Sequence, residues 1–194
     1  MSYVSESAWK IEVVPDKSFA SSVCDEIVFS LNEFLEDGES CSMGLAGGST
    51  PGVVYRSLSR PPYTEQVPWD RMRLFLGDER FVPEENDQSN YRMIRETMLN
   101  SLAHTGVEVH SLDTSLTTPE ESAAKYDSLL RSFGFSLQRG LQLVLLGLGE
   151  DGHTASLFPG GTLQTDQTRL VGASRNPSDH TERISLSGPF LQAS

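Results

Sequence analysis

Apolar positions along this chain switch repeatedly between two periods. Residues 9–14 read as a strand. Over 17–37, Phe19, Val23, Ile27, Leu31, Phe34 and Leu35 recur at the spacing of one helical face, and Gly38 supplies the stop. A short strand over 41–46 follows, then a helix over 51–58 and a strand over 72–76. The next helix, 89–102, lines up Tyr91, Ile94, Met98 and Leu102 on one face. Residues 107–112 read as a strand. Thr118-Pro119-Glu120-Glu121 combines a capping box with proline at the first helical position. It opens a helix whose stripe is Ala123, Tyr126, Leu130 and Phe133. The most apolar segment, 141–146, has the composition of a central parallel strand. Segments 169–173 and 183–186 read as two more.

Alternation of strand and helix predicts an α/β fold: a Rossmann-like open parallel sheet with helices on both faces, here in one domain over 1–194. Ligands of such sheets bind beyond the carboxyl ends of the strands. Three of those ends carry unusual residues, at 44–50, 77–80 and 147–153.

Composition narrows the partners. Fifteen Lys and Arg against 27 Asp and Glu leave a net charge of −12, which disfavours nucleic acid and anionic membranes. A small anion is still accessible, because a few placed arginines and backbone amides can overrule the mean field locally. Cys24 and Cys41 belong to no paired motif and read as reduced. The N-terminal residues show no basic stretch followed by an apolar run, and no apolar segment approaches membrane-spanning length. The expectation is a cytoplasmic protein, a monomer or a weak homo-oligomer.

Each unusual strand end admits a bland reading and a chemical one. In Gly44-Leu45-Ala46-Gly47-Gly48-Ser49-Thr50-Pro51, Thr50 suits an N-cap and Pro51 the first helical turn. Gly47 and Gly48 let bare N–H groups approach a ligand at a helix start, so residues 47–50 form either a phosphate cradle or an unoccupied turn. The pattern is neither Gly-x-Gly-x-x-Gly nor a Walker loop, which disfavours a dinucleotide or ATP. In Gly77-Asp78-Glu79-Arg80, the charges are either a solvated loop or a site. As a site, Arg80 would grip a phosphate in two-pronged fashion and Asp78 would orient a hydroxyl or a side chain. In Gly147-Leu148-Gly149-Glu150-Asp151-Gly152-His153, an apolar strand delivers an imidazole with an aspartate two residues before it. Asp151 can orient His153, and imidazole exchanges protons near neutral pH. His104, His110 and His180 show no ligand spacing with His153, so no metal is expected. Arg183, opening a possible strand, reads as an ordinary surface arginine in isolation.

Gly47-Gly48-Ser49-Thr50-Pro51, Gly77-Asp78-Glu79-Arg80 with Ser89-Asn90-Tyr91, and residues 147–159 together resemble the glucosamine-6-phosphate isomerase/6-phosphogluconolactonase family, on its lactonase side. Glu182-Arg183-Ile184-Ser185-Leu186 is similar to a late segment of that family. The resemblance implies a sugar-phosphate isomerase/deaminase-like fold and a hydrolase of the pentose phosphate pathway that needs no cofactor. It places His153 at the catalytic histidine, with Asp151 beside it. It places Gly47, Gly48 and Ser49 in the phosphate loop, and Arg80 and Arg183 at the phosphate end. The implied partner is a phosphorylated sugar lactone, 6-phosphoglucono-δ-lactone. Members of the family usually continue beyond the equivalent of Ser194, so the chain is expected to lack a C-terminal part and its sheet to lack an edge. Two rivals share the fold. A deaminase-like isomerase would carry a glutamate where this chain has Phe158, and Asp-Glu-Tyr where it has Asp78-Glu79-Arg80. A non-catalytic sugar-phosphate-binding module would keep the glycine loop and leave Asp151 and His153 without a task.

Overall fold

The computed structural model describes residues 11–194. In chain order the elements are α1 (Asp16–Asp37), β1 (Cys41–Leu45), α2 (Ser49–Leu58), β2 (Met72–Leu76) and β3 (Asp78–Arg80). Helix α3 (Asn90–Ile94) continues through a π-helical turn at Arg95–Leu99 into α4 (Asn100–Leu102). Then come β4 (Glu108–His110), α5 (Pro119–Ser132), β5 (Leu143–Val144), β6 (Val171–Arg175), β7 (Glu182–Leu186) and α6 (Gly188–Gln192).

The strands form two sheets. The parallel one has the order β4-β2-β1-β5, with Leu45 of β1 opposite Leu76 of β2. Every residue of β1 is buried, so both faces of the sheet are covered there, and its sequence is correspondingly apolar or small. Helix α1 packs on α2 and β1, sending Cys24, Ile27 and Leu31 into the core. Burial pushes the thiols of Cys24 and Cys41 up to about 11, as for inert core cysteines.

The second sheet is antiparallel, with the order β3-β7-β6. Alternation along the sequence suggested that these late strands would extend the parallel sheet. They pair by hairpin instead: β6 and β7 are separated by a short loop, which permits antiparallel but not crossover pairing. The two sheets are joined at Gly77. Its N–H donates to the Leu45 carbonyl at 2.9 Å, and its carbonyl accepts from the Leu186 N–H at 2.9 Å. One continuous run, 72–80, thus leaves the parallel sheet at Leu76 and enters the antiparallel one at Asp78. Arg80 thereby comes to lie opposite Arg183.

Other boundaries shift for local reasons. The strand expected over 9–14 lies partly outside the described residues, and 11–15 carry no strand. The strands expected over 107–112 and 141–146 pair only at 108–110 and 143–144. Helix α2 begins at Ser49, not after Thr50. Gly48, at φ +105°, takes the N-cap position, and Thr50 lies inside the first turn. Only glycine adopts that φ without strain, so the backbone decides the start and not the threonine hydroxyl. Helix α5 begins as its capping residues require, with the Thr118 hydroxyl accepting from the Glu121 N–H at 3.2 Å.

A buried carboxylate fastens β3 to α3. Glu79 is 1% exposed. It accepts from the N–H groups of Arg80 (2.7 Å), Asn90 (2.7 Å) and Tyr91 (2.8 Å) and from the Ser89 hydroxyl (3.1 Å). Burial pushes the carboxyl up, and these four bonds oppose that rise. Replacing Glu79 with alanine orphans buried donors at roughly 1–3 kcal/mol each. The Glu79→Ala protein is therefore expected to unfold at a clearly lower urea concentration than the parent, measured by circular dichroism.

Candidate active site

The three strand ends singled out from the sequence converge on one cavity of about 520 Å³, which residues 47–50, Asp78, Arg80, His153 and Arg183 help to line. Its glycine wall is held from behind by the buried Tyr55, whose hydroxyl donates to the Ala46 carbonyl at 2.9 Å. A Cβ on Gly47 would fall 1.9 Å from Asn90 Oδ1, so glycine is required there by a neighbouring side chain and not by φ. The first turn of α2, which has no side-chain cap and carries the partial positive charge of a helix start, lines this cavity.

Two arginines stand side by side on the antiparallel sheet. Arg80 Nη1 donates to the Gln88 carbonyl at 2.8 Å and to Asn90 Oδ1 at 2.7 Å. Arg183 is buried, and the carboxylate of Asp179 lies with Oδ2 3.7 Å from Nη2, too far for a hydrogen bond. The Nε atoms of both arginines are buried without a hydrogen-bond partner. Burial first, and then the charge of Arg80, hold the Arg183 guanidinium below its ordinary range. Two cations with unmet donors in one partly buried pocket favour an anion between them.

Asp78 is buried in the wall next to this pair. Its Oδ2 accepts from the Ser156 hydroxyl at 2.7 Å and its Oδ1 from Asn90 Nδ2 at 3.3 Å. Ser156 is tied onward: its N–H donates to Ser185 Oγ at 3.2 Å, and its carbonyl accepts from Ser174 Oγ at 2.9 Å. This anchors the loop after His153 to the second sheet. Within that loop Ala155 holds φ at 49°, a conformation that costs a non-glycine residue energy and persists only where neighbours impose it.

The imidazole of His153 sits on a turn built around glycines. The Gly149 N–H donates to the His153 carbonyl at 2.8 Å, and Gly152 adopts φ +84°. A Cβ on Gly149 would come within 2.3 Å of ring atoms Cε1 and Nδ1. Nδ1 is hydrogen-bonded to Asp151 Oδ1, and that oxygen also accepts from the His153 N–H at 3.2 Å. The bond from His153 holds the Asp151 carboxyl below the usual carboxylate range. An ionised carboxylate can only accept, so Nδ1 carries the proton in this contact, and in the neutral form of the ring Nε2 is the nitrogen with a lone pair. The ring of Phe158 packs against the imidazole, 4.8 Å between centroids.

Of the residues singled out from sequence, Gly47, Gly48, Ser49, Thr50, Asp78, Arg80, His153 and Arg183 line the cavity, while Asp151 stands behind His153 and outside the lining. Sequence reasoning overlooked Glu79 and Ser156, and it gave Asn90 no role. Glu79 was visible only as part of a charge run. Ser156 meets Asp78 across 78 positions of chain, a separation that no local pattern reveals. Among the described residues no group of three or more His, Cys, Asp or Glu side chains is arranged to hold a metal, and no helix is long and apolar enough to cross a membrane.

Residues 15–194 match the family described as glucosamine-6-phosphate isomerases/6-phosphogluconolactonase. The chain is 33% identical over 188 residues to the 6-phosphogluconolactonase of a Nostoc species, covering 94% of this chain and 75% of that one. It is 34% identical to the Synechocystis 6-phosphogluconolactonase over 154 residues, which is 77% of this chain and 61% of the relative. Among solved structures, the 6-phosphogluconolactonase of Thermotoga maritima superposes with a TM-score of 0.77 at 31% identity, covering 94% of this chain and 77% of that one. The enzyme of that name from Trypanosoma brucei gives 0.79 at 29% identity, over 95% and 77%.

Substituting Gly149 with alanine is expected to drive the imidazole off Asp151, because the methyl group and the ring cannot share the space. The loss of the His153 Nδ1–H correlation from a histidine-selective NMR spectrum, with the backbone spectrum largely preserved, is the expected result.

Proposed function

The chain belongs to the glucosamine-6-phosphate isomerase/6-phosphogluconolactonase family, and from that premise we propose that it hydrolyses 6-phosphoglucono-δ-lactone to 6-phosphogluconate, a step of the oxidative pentose phosphate pathway. The observation that carries this reading is the shared cavity. Arg80 and Arg183 line it together with an imidazole whose Nδ1 is bound to Asp151. Their chemistry matches a substrate with a dianionic phosphate at one end and an ester carbonyl at the other.

In the proposed reaction the phosphate rests on the N–H groups at Gly47, Gly48, Ser49 and Thr50 and on Arg80 and Arg183, which fixes the ring. Nε2 of neutral His153 takes a proton from water as the water oxygen bonds to the lactone carbonyl carbon. The carbonyl oxygen becomes a tetrahedral oxyanion, and Asp151 stabilises the imidazolium. When the oxyanion collapses, the bond from carbon to the ring oxygen breaks and His153 returns its proton to that oxygen. Water has been added across the ester and His153 is neutral again. General-base catalysis of this kind supplies about 10²–10⁴ in rate, with orientation adding to it. Phe158 places an aromatic face where a deaminase-like isomerase would need a second acid–base group, which supports hydrolysis over proton transfer on carbon. The proposal extends to a single domain acting in the cytoplasm as a monomer or weak homo-oligomer, without nucleic acid.

Freshly prepared lactone, followed in a timed assay and corrected for spontaneous hydrolysis, tests the proposal directly. Turnover above background is expected; ammonia release from glucosamine 6-phosphate with no lactone turnover would overturn it. His153→Ala should lower kcat by about 10²–10⁴ while 6-phosphogluconate still binds, as read by calorimetry. Arg80→Ala and Arg183→Ala should chiefly raise KM, and a KM unchanged in both would remove the arginines from the phosphate site.

A further inference from the structure

One buried amide touches both β3, which carries Asp78 and Arg80, and the glycine turn at Gly47. Asn90 is 1% exposed. Its Nδ2 donates to the Asp78 carbonyl at 2.9 Å and to Asp78 Oδ1 at 3.3 Å, and its Oδ1 accepts from Arg80 Nη1 at 2.7 Å. The same Oδ1 occupies the space that a Cβ on Gly47 would need. Its own N–H is held by Glu79 at 2.7 Å. The amide is therefore tied from the backbone side and from both ends of its side chain.

The orientation of the amide follows from its partners. A guanidinium only donates, and the Asp78 oxygens only accept. The oxygen must face Arg80 and the NH₂ must face Asp78. With Nη1 anchored on Asn90 and on the Gln88 carbonyl, the guanidinium plane of Arg80 is fixed and its Nε remains buried and unpartnered. A carboxamide presents its acceptor on one arm and its donors on the other, which suits these two facing partners. Aspartate would repel Asp78 and neutralise Arg80. Alanine would release both Arg80 and the back of the glycine turn.

We infer that Asn90 is the positioning residue that sets specificity at this site. It locks Arg80 and the Gly47 turn in the arrangement that admits a phosphoryl group, and so fixes the preference for a phosphorylated lactone over the same lactone without phosphate. Asn90 acts through Arg80 and Gly47 and does not itself touch the reacting atoms. The inference rests on the lactonase reading and goes further by assigning the selectivity to one amide.

The test compares 6-phosphoglucono-δ-lactone with glucono-δ-lactone as substrates for the parent chain, Asn90→Ala and Asn90→Asp. Loss of the charge-assisted bond to Arg80 is expected to raise KM for the phosphorylated lactone roughly tenfold or more, with a smaller change in kcat. The ratio of kcat/KM between the two lactones should fall by a similar factor, further for Asn90→Asp than for Asn90→Ala. A merely structural role would lower kcat/KM for both substrates together, and an unchanged ratio overturns the inference. Gly47→Ala with and without Asn90→Ala guards against misfolding. Gly47→Ala alone should lower the thermal midpoint, because its methyl group meets the amide. The double variant should recover toward Asn90→Ala while the selectivity stays lost; additive destabilisation counts against the geometry. If the parent chain turns over neither lactone, the lactonase reading falls. Calorimetric titration with inorganic phosphate then still decides the role of Asn90: weaker binding to Asn90→Ala supports it, and equal binding overturns it.

Discussion

A single carboxylate, that of Glu79, is the constraint on which the site depends. It lies at the point where one run of chain crosses from the parallel to the antiparallel sheet, and it gathers the start of α3 against that crossing through three hydrogen bonds, with a fourth from the Arg80 N–H of β3. The N–H groups of Asn90 and Tyr91 would otherwise be unmet at a helix start. Satisfying them brings Asn90 beneath Arg80 and behind Gly47. The order of cause therefore runs from a buried acid to a helix start, from the helix start to an amide, and from the amide to the guanidinium that faces the cavity.

Electrostatics explain how so acidic a chain can welcome an anion. The formal charge of −12 is spread over the surface, where many acids are already paired, as with Arg95 and Glu84 or Lys125 and Asp113. The cavity concentrates the opposite sign. Arg80 and Arg183 are set against each other by strand register, and a helix start lines the same cavity. Short-range fields inside a partly buried pocket outweigh the screened mean field of the exterior. Hydrolysis also asks little of this framework. In the proposed reaction one imidazole, oriented by Asp151 and packed against Gly149, would activate water against a reactive ester.

Much of this was legible in the sequence, and the limits are physical. Helices α1 and α5 announced themselves because their apolar stripes and caps are local. That Gly47, Arg80 and His153 would meet at one cavity was legible because each follows an apolar strand, and the carboxyl ends of such strands share an edge. The antiparallel second sheet was not legible: 169–173 and 183–186 have strand composition, and only the short connection between them says which way they pair. The start of α2 was misplaced at Thr50 because a good capping side chain lost to a left-handed Gly48. Glu79 resembled its charged neighbours, since burial is a property of the assembled fold and not of the residue. Ser156 and Asn90 acquire their partners only when distant loops close on Asp78.

The crossing at Gly77 has a consequence for how the molecule responds to its ligand. The glycine turn follows β1 of one sheet, whereas Arg80 and Arg183 belong to the other. An anion seated between them would span the seam and act as a removable rivet between two halves that Gly77 otherwise stitches through its own N–H and carbonyl. Such an anion would then add to the stability of the joined sheets by mass action.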